Sequence, residues 1–98
     1  MSIDEYATWA AALAKVSRPA KPERLSYLGL GLVAEAGEVA DHIKKLLRDQ
    51  KLDEAAMIDE LGDVVYYWAC LCVAAGKMPS DMLEASKSKI ERRVSGGR

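Results

Sequence analysis

Two short runs place acids where a helix should be apolar: "EAGE" at residues 35–38 and "ELGD" at residues 60–63. Both have the form Glu-x-Gly-acid-Val, and they start 25 residues apart. On a helical wheel at about 100° per residue, Glu38 falls about 60° to one side of Glu35, with Leu28, Leu32, Val39 and Leu46 within about 60° on the other. Glu60 and Asp63 stand in the same relation to Met57, Val64 and Leu71. All four acids therefore belong to an apolar stripe. A carboxylate turned inward loses hydration worth several kcal/mol, even after relaxation. Two unit charges about 4 Å apart at an effective dielectric near 20 repel by roughly 4 kcal/mol. No nearby Lys or Arg shares either stripe, so the simplest stabiliser is a divalent cation. Oxygen-only ligands favour a hard one, Mg²⁺ or Mn²⁺, over zinc.

Other residues join these by position. Gly37 and Gly62 each cost their helix about 1 kcal/mol relative to alanine, and close backbone approach beside the acids is the expected return. His42 falls on the acid stripe, where a partly buried, satisfied imidazole is expected ahead of a metal ligand. Trp9, Tyr6, Tyr27 and Trp68 are the candidate stacking surfaces, although aromatics at helical spacing usually serve the core. Cys70 and Cys72 lie two residues apart in a helical pattern. Their side chains point about 200° apart and cannot bond each other, so they read as small core residues of a reducing compartment.

Four helices must carry these groups. "SIDE" is a capping-box pattern, with Ser2 and Glu5 opening a first helix that runs to about Val16. Its broad apolar side holds Ile3, Tyr6, Trp9, Leu13 and Val16. Pro19 and Pro22 in "SRPAKP" break it. The second helix starts near Pro22 to Leu25 and ends near Arg48. Asp53 caps a third that stops near Ala75 before a C′ glycine, Gly76. Pro79 and Ser80 open a fourth that continues to about Val94, and "SGGR" is a frayed tail. Linkers are short, so consecutive helices are expected to lie antiparallel.

The sequence has 98 residues, 50% hydrophobic and 30% charged, with a net charge of −1. That predicts one all-α domain over residues 1–98, too weakly charged to track a nucleic-acid backbone. No basic segment leads into an apolar run at the N-terminus and no stretch reaches membrane-spanning length, so a cytoplasmic location without membrane contact is expected. So short a chain buries a modest core, and its helices are apolar on more than one side. A homodimer or homotetramer is expected to complete the bundle.

The acid pattern, with its flanks "LGLVAEAGEVADHIKKLLR" and "DELGDVVYYWA", resembles the MazG-type nucleoside triphosphate pyrophosphohydrolases of the all-α NTP pyrophosphatase superfamily. "LEASKSKIERR" is similar to the family's C-terminal element, with Ser86 where relatives often have asparagine. The resemblance spans roughly residues 25–94. It implies a MazG-like four-helix bundle and Mg²⁺-dependent hydrolysis of (deoxy)nucleoside triphosphates to the monophosphate and pyrophosphate, with Mn²⁺ able to substitute. Glu35, Glu38, Glu60 and Asp63 would be the metal-binding and catalytic acids. Lys89, Arg92 and Arg93 would hold the outer phosphates, and Trp9, on the first helix, would line the base pocket. A purine dNTP such as dGTP is favoured, although no residue fixes the base or identifies the general base. A phosphoribosyl-ATP pyrophosphatase and a helical interaction module without turnover stand as alternatives. A di-iron bundle needs a second histidine that the chain lacks.

Overall fold

A computed structural model describes residues 1–17 and 20–96. All regular structure among them is helical: α1 (Ile3–Leu13), α2 (Pro22–Asp49), α3 (Glu54–Ala74) and α4 (Pro79–Ser95). Pro19 and the last two residues of "SGGR" lie outside the described residues.

Local chemistry explains where each helix begins and ends. In α1 the Glu5 backbone N–H donates to Ser2 Oγ at 3.0 Å, while the Ser2 N–H donates to Glu5 Oε1 at 2.7 Å. The helix stops at Leu13, short of the expected Val16. The cause is Lys15, at φ 57°. That left-handed residue lets the N–H of Val16 reach the Ala11 carbonyl and its own N–H reach that of Ala12, a Schellman closure. α2 opens on Pro22 at its first turn. It ends at left-handed Gln50, whose N–H donates to the Leu46 carbonyl at 2.8 Å. Asp53 caps α3, its Oδ1 accepting from the Ala56 N–H at 3.0 Å. Gly76, at φ 83°, closes α3 in a second Schellman pattern.

The start of α4 has no side-chain cap from its own N-cap residue, Met78. Asp4 of α1 supplies it: Oδ1 accepts from the Ser80 N–H at 2.9 Å and Oδ2 from Ser80 Oγ at 2.5 Å.

α3 is the hub. It packs against α2, α1 and α4, and α1 also touches α4, whereas the backbones of α1 and α2 are not neighbours. The expectation that consecutive helices pair therefore fails at α1–α2, because α1 leans on α3. α2 and α3 run antiparallel. Tyr27 and Gly31 lie against Tyr67, Glu35 against Asp63 and Glu60, and His42 against Glu60.

The core is small. Ala10, Leu28 and Cys70 meet at its centre, with Tyr6, Tyr66, Tyr67 and Leu71 around them. α1 buries Ala7, Ala10 and Ala11, not the expected stripe of large residues; Trp9 and Leu13 are 54% and 61% exposed. Small side chains allow α1 to sit close on α3, and the bulky ones are left at its flanks. Cys70 and Cys72 are buried free thiols, as expected, and burial pushes both up in pKa. No helix among the described residues is long and apolar enough to cross a membrane.

Leu25, Val33, Ile43 and Leu47 of α2 and Ile58, Leu61 and Val65 of α3 are all exposed. On each helix they fall about 80–160° from the α2–α3 seam, in the same rotational sense. Because the helices are antiparallel, both sets emerge on one side of the pair. Glu38 and Asp63 turn to the opposite side.

Asp4→Ala is expected to lower stability by about 0.5–2 kcal/mol in urea unfolding, the usual cost of a lost N-cap. Faster amide exchange in the first turn of α4 is expected with it, while Asp4→Asn keeps part of the cap.

Candidate metal centre

The seam between α2 and α3 is where the acids converge. One carboxylate oxygen each from Glu35, Glu60 and Asp63 lies within 4.8 Å of the others. Glu35 and Glu60 are half-buried and Asp63 is exposed. Leu28, Leu32 and Val39 on α2, with Val64 and Leu71 on α3, hold this face of each helix inward, and the acids share it.

Their charges are not neutralised by the protein. Among the described residues no Lys or Arg pairs with Glu35, Glu60 or Asp63. The nearest basic side chain among the described residues is the His42 imidazole, its Nε2 3.8 Å from Glu60 Oε2. Burial, then the charges of Asp63, Glu60 and Glu38, push the Glu35 carboxyl above the usual glutamate range. Glu38 is close enough to add to that effect but is exposed and stands outside the trio. Its wheel position, about 60° off the seam, sets it on the rim. Three carboxylates of oxygen-only character with no cationic partner fit a hard divalent cation.

The close backbone approach expected at Gly37 and Gly62 is not there. A Cβ built at either meets nothing within 4 Å. Gly37 lies about 160° from Glu35 and Gly62 about 160° from Glu60 on their wheels, facing away from the seam. The close approach is at Gly31, where a Cβ would sit 2.4 Å from Tyr67 Cε1 and 2.6 Å from Cζ. Gly31 is one turn before Glu35, and Tyr67 one turn after Asp63. That shared stripe was the signal in the sequence.

An aromatic row extends from this point. Trp9 meets Tyr66 edge-on at 6.4 Å, Tyr66 meets Tyr67 at 5.4 Å, and Tyr67 meets Tyr27 at 6.2 Å. Tyr6 packs on Trp9 at 5.5 Å. The row borders the acids. The Tyr67 phenol is pushed up by Tyr27 and burial and, more weakly, by the Glu35 charge; that of Tyr6 by burial, Cys70 and Asp63. Trp9 stands at the α1 end, separated from Tyr67 by Tyr66.

The cations of α4 are elsewhere. Lys89, Arg92 and Arg93 are exposed, and Lys89 lines a groove with Trp68, Met82 and Ser86. Trp68 lies about 140° around α3 from Asp63. Within one chain, Lys89 is therefore on the far side of α3 from the opening of the acid cluster.

Residues 24–95 match the family model of the MazG nucleotide pyrophosphohydrolase domain. The Gene 37 protein of Mycobacterium phage L5 is 36% identical over 80 residues, which covers 76% of this chain and 70% of that protein. No solved structure matches the chain.

Two outcomes follow from this geometry. Gly31→Ala is expected to destabilise by about 1–3 kcal/mol, as overpacking does, because Tyr67 must leave its place. Gly62→Ala, with open space around it, is expected to be neutral or stabilising by up to about 1 kcal/mol; paired urea melts read both. The second concerns pH in chelator-treated protein. Glu35 binds its proton more tightly folded than unfolded, so its contribution is most favourable below the ordinary value of 4.5. It declines as pH rises through the window above that value, where the unfolded chain has already lost the proton. Glu35→Gln is therefore expected to raise Tm at neutral pH and to change it little near pH 3, in calorimetry at both.

Proposed function

We propose, from the premise that the chain belongs to the MazG nucleotide pyrophosphohydrolase domain family, that it hydrolyses deoxynucleoside triphosphates to the monophosphate and pyrophosphate with Mg²⁺. The observation that carries this reading is the gathering of Glu35, Glu60 and Asp63 without a cationic partner. A polyphosphate is itself anionic, so such a cluster attracts one only through shared metal. Glu35, Glu60 and Asp63 would hold Mg²⁺, with Mn²⁺ as a substitute. Bound there, the metal would screen the phosphates, polarise the α-phosphorus and lower the pKa of a coordinated water.

The chain's own groups do the rest. The seam fixes where the α-phosphate sits. Glu38, on the rim and outside the trio, is available to take the proton of the attacking water. Attack at the α-phosphorus breaks its bond to the bridging oxygen, and pyrophosphate leaves. Lys89, Arg92 and Arg93 suit the departing phosphates, but they lie across α3 from the acids of their own chain. A second copy docked on the side of α2–α3 where Glu38 and Asp63 open, opposite the exposed apolar face, would bring its α4 cations to the first copy's acids. This accounts for the separation of cations from carboxylates within one chain. A purine dNTP, dGTP first, remains the favoured substrate.

A panel of natural and modified dNTPs is expected to yield pyrophosphate, not orthophosphate, and only with Mg²⁺ or Mn²⁺. Glu38→Gln is expected to lower kcat about 100-fold or more, the scale of a lost general base. Turnover that survives this substitution, or orthophosphate as product, counts against the reading. Mixing Glu35→Gln with Lys89→Ala chains, each inactive alone, is expected to restore pyrophosphate release if the site is shared between copies. A solution mass of one chain at assay concentration removes the shared site.

A further inference from the structure

We infer that the base of the nucleotide stacks at the N-terminal end of α2, on Tyr27 and the edge of Tyr67, rather than against Trp9; this rests on the hydrolase reading above. Three observations converge there. Tyr27 is 56% exposed, although its edge-to-face contact with Tyr67, at 6.2 Å, fixes the ring. The Arg24 guanidinium lies over that ring, 5.5 Å from its centroid, so a planar cation already occupies the kind of place a base would take. Tyr27 and Arg24, with Lys21 and Glu23, line an open groove of about 470 Å³. Arg24 and Lys21 offer donors at its rim and Glu23 offers acceptors, the two kinds of partner that a base edge requires.

Position along α2 supports the same end. Tyr27 precedes Glu35 by two helical turns, about 12 Å of axial rise. A deoxyribose and its base extend over that kind of distance from an α-phosphate held at the carboxylates. Tyr67 fills the interval, its ring in the space a Cβ at Gly31 would need. The surface from the acid cluster to the groove is therefore continuous and aromatic. Trp9 is also exposed, and the ring contacts that hold it are those of Tyr6 and Tyr66.

The test pairs a binding measurement with turnover. Deoxynucleoside monophosphates are titrated calorimetrically with Mg²⁺ into the intact protein, and pyrophosphate release from the four dNTPs is followed at steady state. Tyr27→Leu is expected to weaken monophosphate binding and raise KM about tenfold, the size of one lost base–aromatic stack, with kcat little changed. Tyr27→Phe is expected to keep both at wild-type values. Inorganic triphosphate, which has no base, is expected to inhibit wild type and Tyr27→Leu equally. Unchanged KM and monophosphate affinity in Tyr27→Leu overturn the subsite, and leave the hydrolase reading intact if pyrophosphate is still released. Weaker inhibition of Tyr27→Leu by inorganic triphosphate also overturns it, because the seam itself would then be disturbed. So does a KM rise in Trp9→Leu with none in Tyr27→Leu. If wild type releases no pyrophosphate from any dNTP, the hydrolase reading fails and the titration decides: Tyr27-dependent binding upholds the subsite, and no binding overturns it.

Discussion

The mutual repulsion of three carboxylates at the α2–α3 seam is the constraint that organises this molecule. Two helices pack through a largely apolar stripe interrupted where Glu35, Glu60 and Asp63 meet, with His42 beside Glu60. Among the described residues no Lys or Arg pairs with them, and that imidazole is the nearest basic side chain. A fold selected for stability alone would have put a lysine across the seam or leucines in place of the acids, since ion clusters of this kind are often improved upon by apolar residues. What remains is a site whose repulsion a bound cation would relieve.

Much of this arrangement was legible from residue types and spacing. Capping residues act locally, so Ser2 with Glu5, Asp53, Pro22, Pro79 and Gly76 marked the helix boundaries that the structure shows. The acid stripe was legible because a wheel needs only periodicity. The early end of α1 was not: Lys15 takes a left-handed conformation that a sequence assigns first to glycine or asparagine. Nor was the choice of buried face on α1. Hydrophobicity favoured Trp9 and Leu13, but close approach to α3 favoured Ala7, Ala10 and Ala11.

The glycines show the same limit. Helix propensity identified Gly37 and Gly62 as costly, and their nearness to the acids suggested a purpose. Direction decides the matter, and both face open space, whereas Gly31 faces Tyr67. The α4 cations were legible as a cluster, but their side of α3 was not, because it depends on how α4 folds back past Trp68. A local pattern can specify an element and its faces. Which neighbour each face meets is a property of the assembled chain.

The bond between Asp4 and Ser80 joins positions 76 residues apart. Closing a loop of that size sacrifices more chain entropy than closing the short turn from Gln50 to Asp53 between α2 and α3. Contact topology therefore orders assembly: the acidic hairpin forms early, and the clasp that seats α4 forms late. Nascent chains would meet the electrostatic penalty of the seam before most of the rest of the fold is in place to offset it. Ionic conditions during synthesis would then influence how fast that hairpin closes.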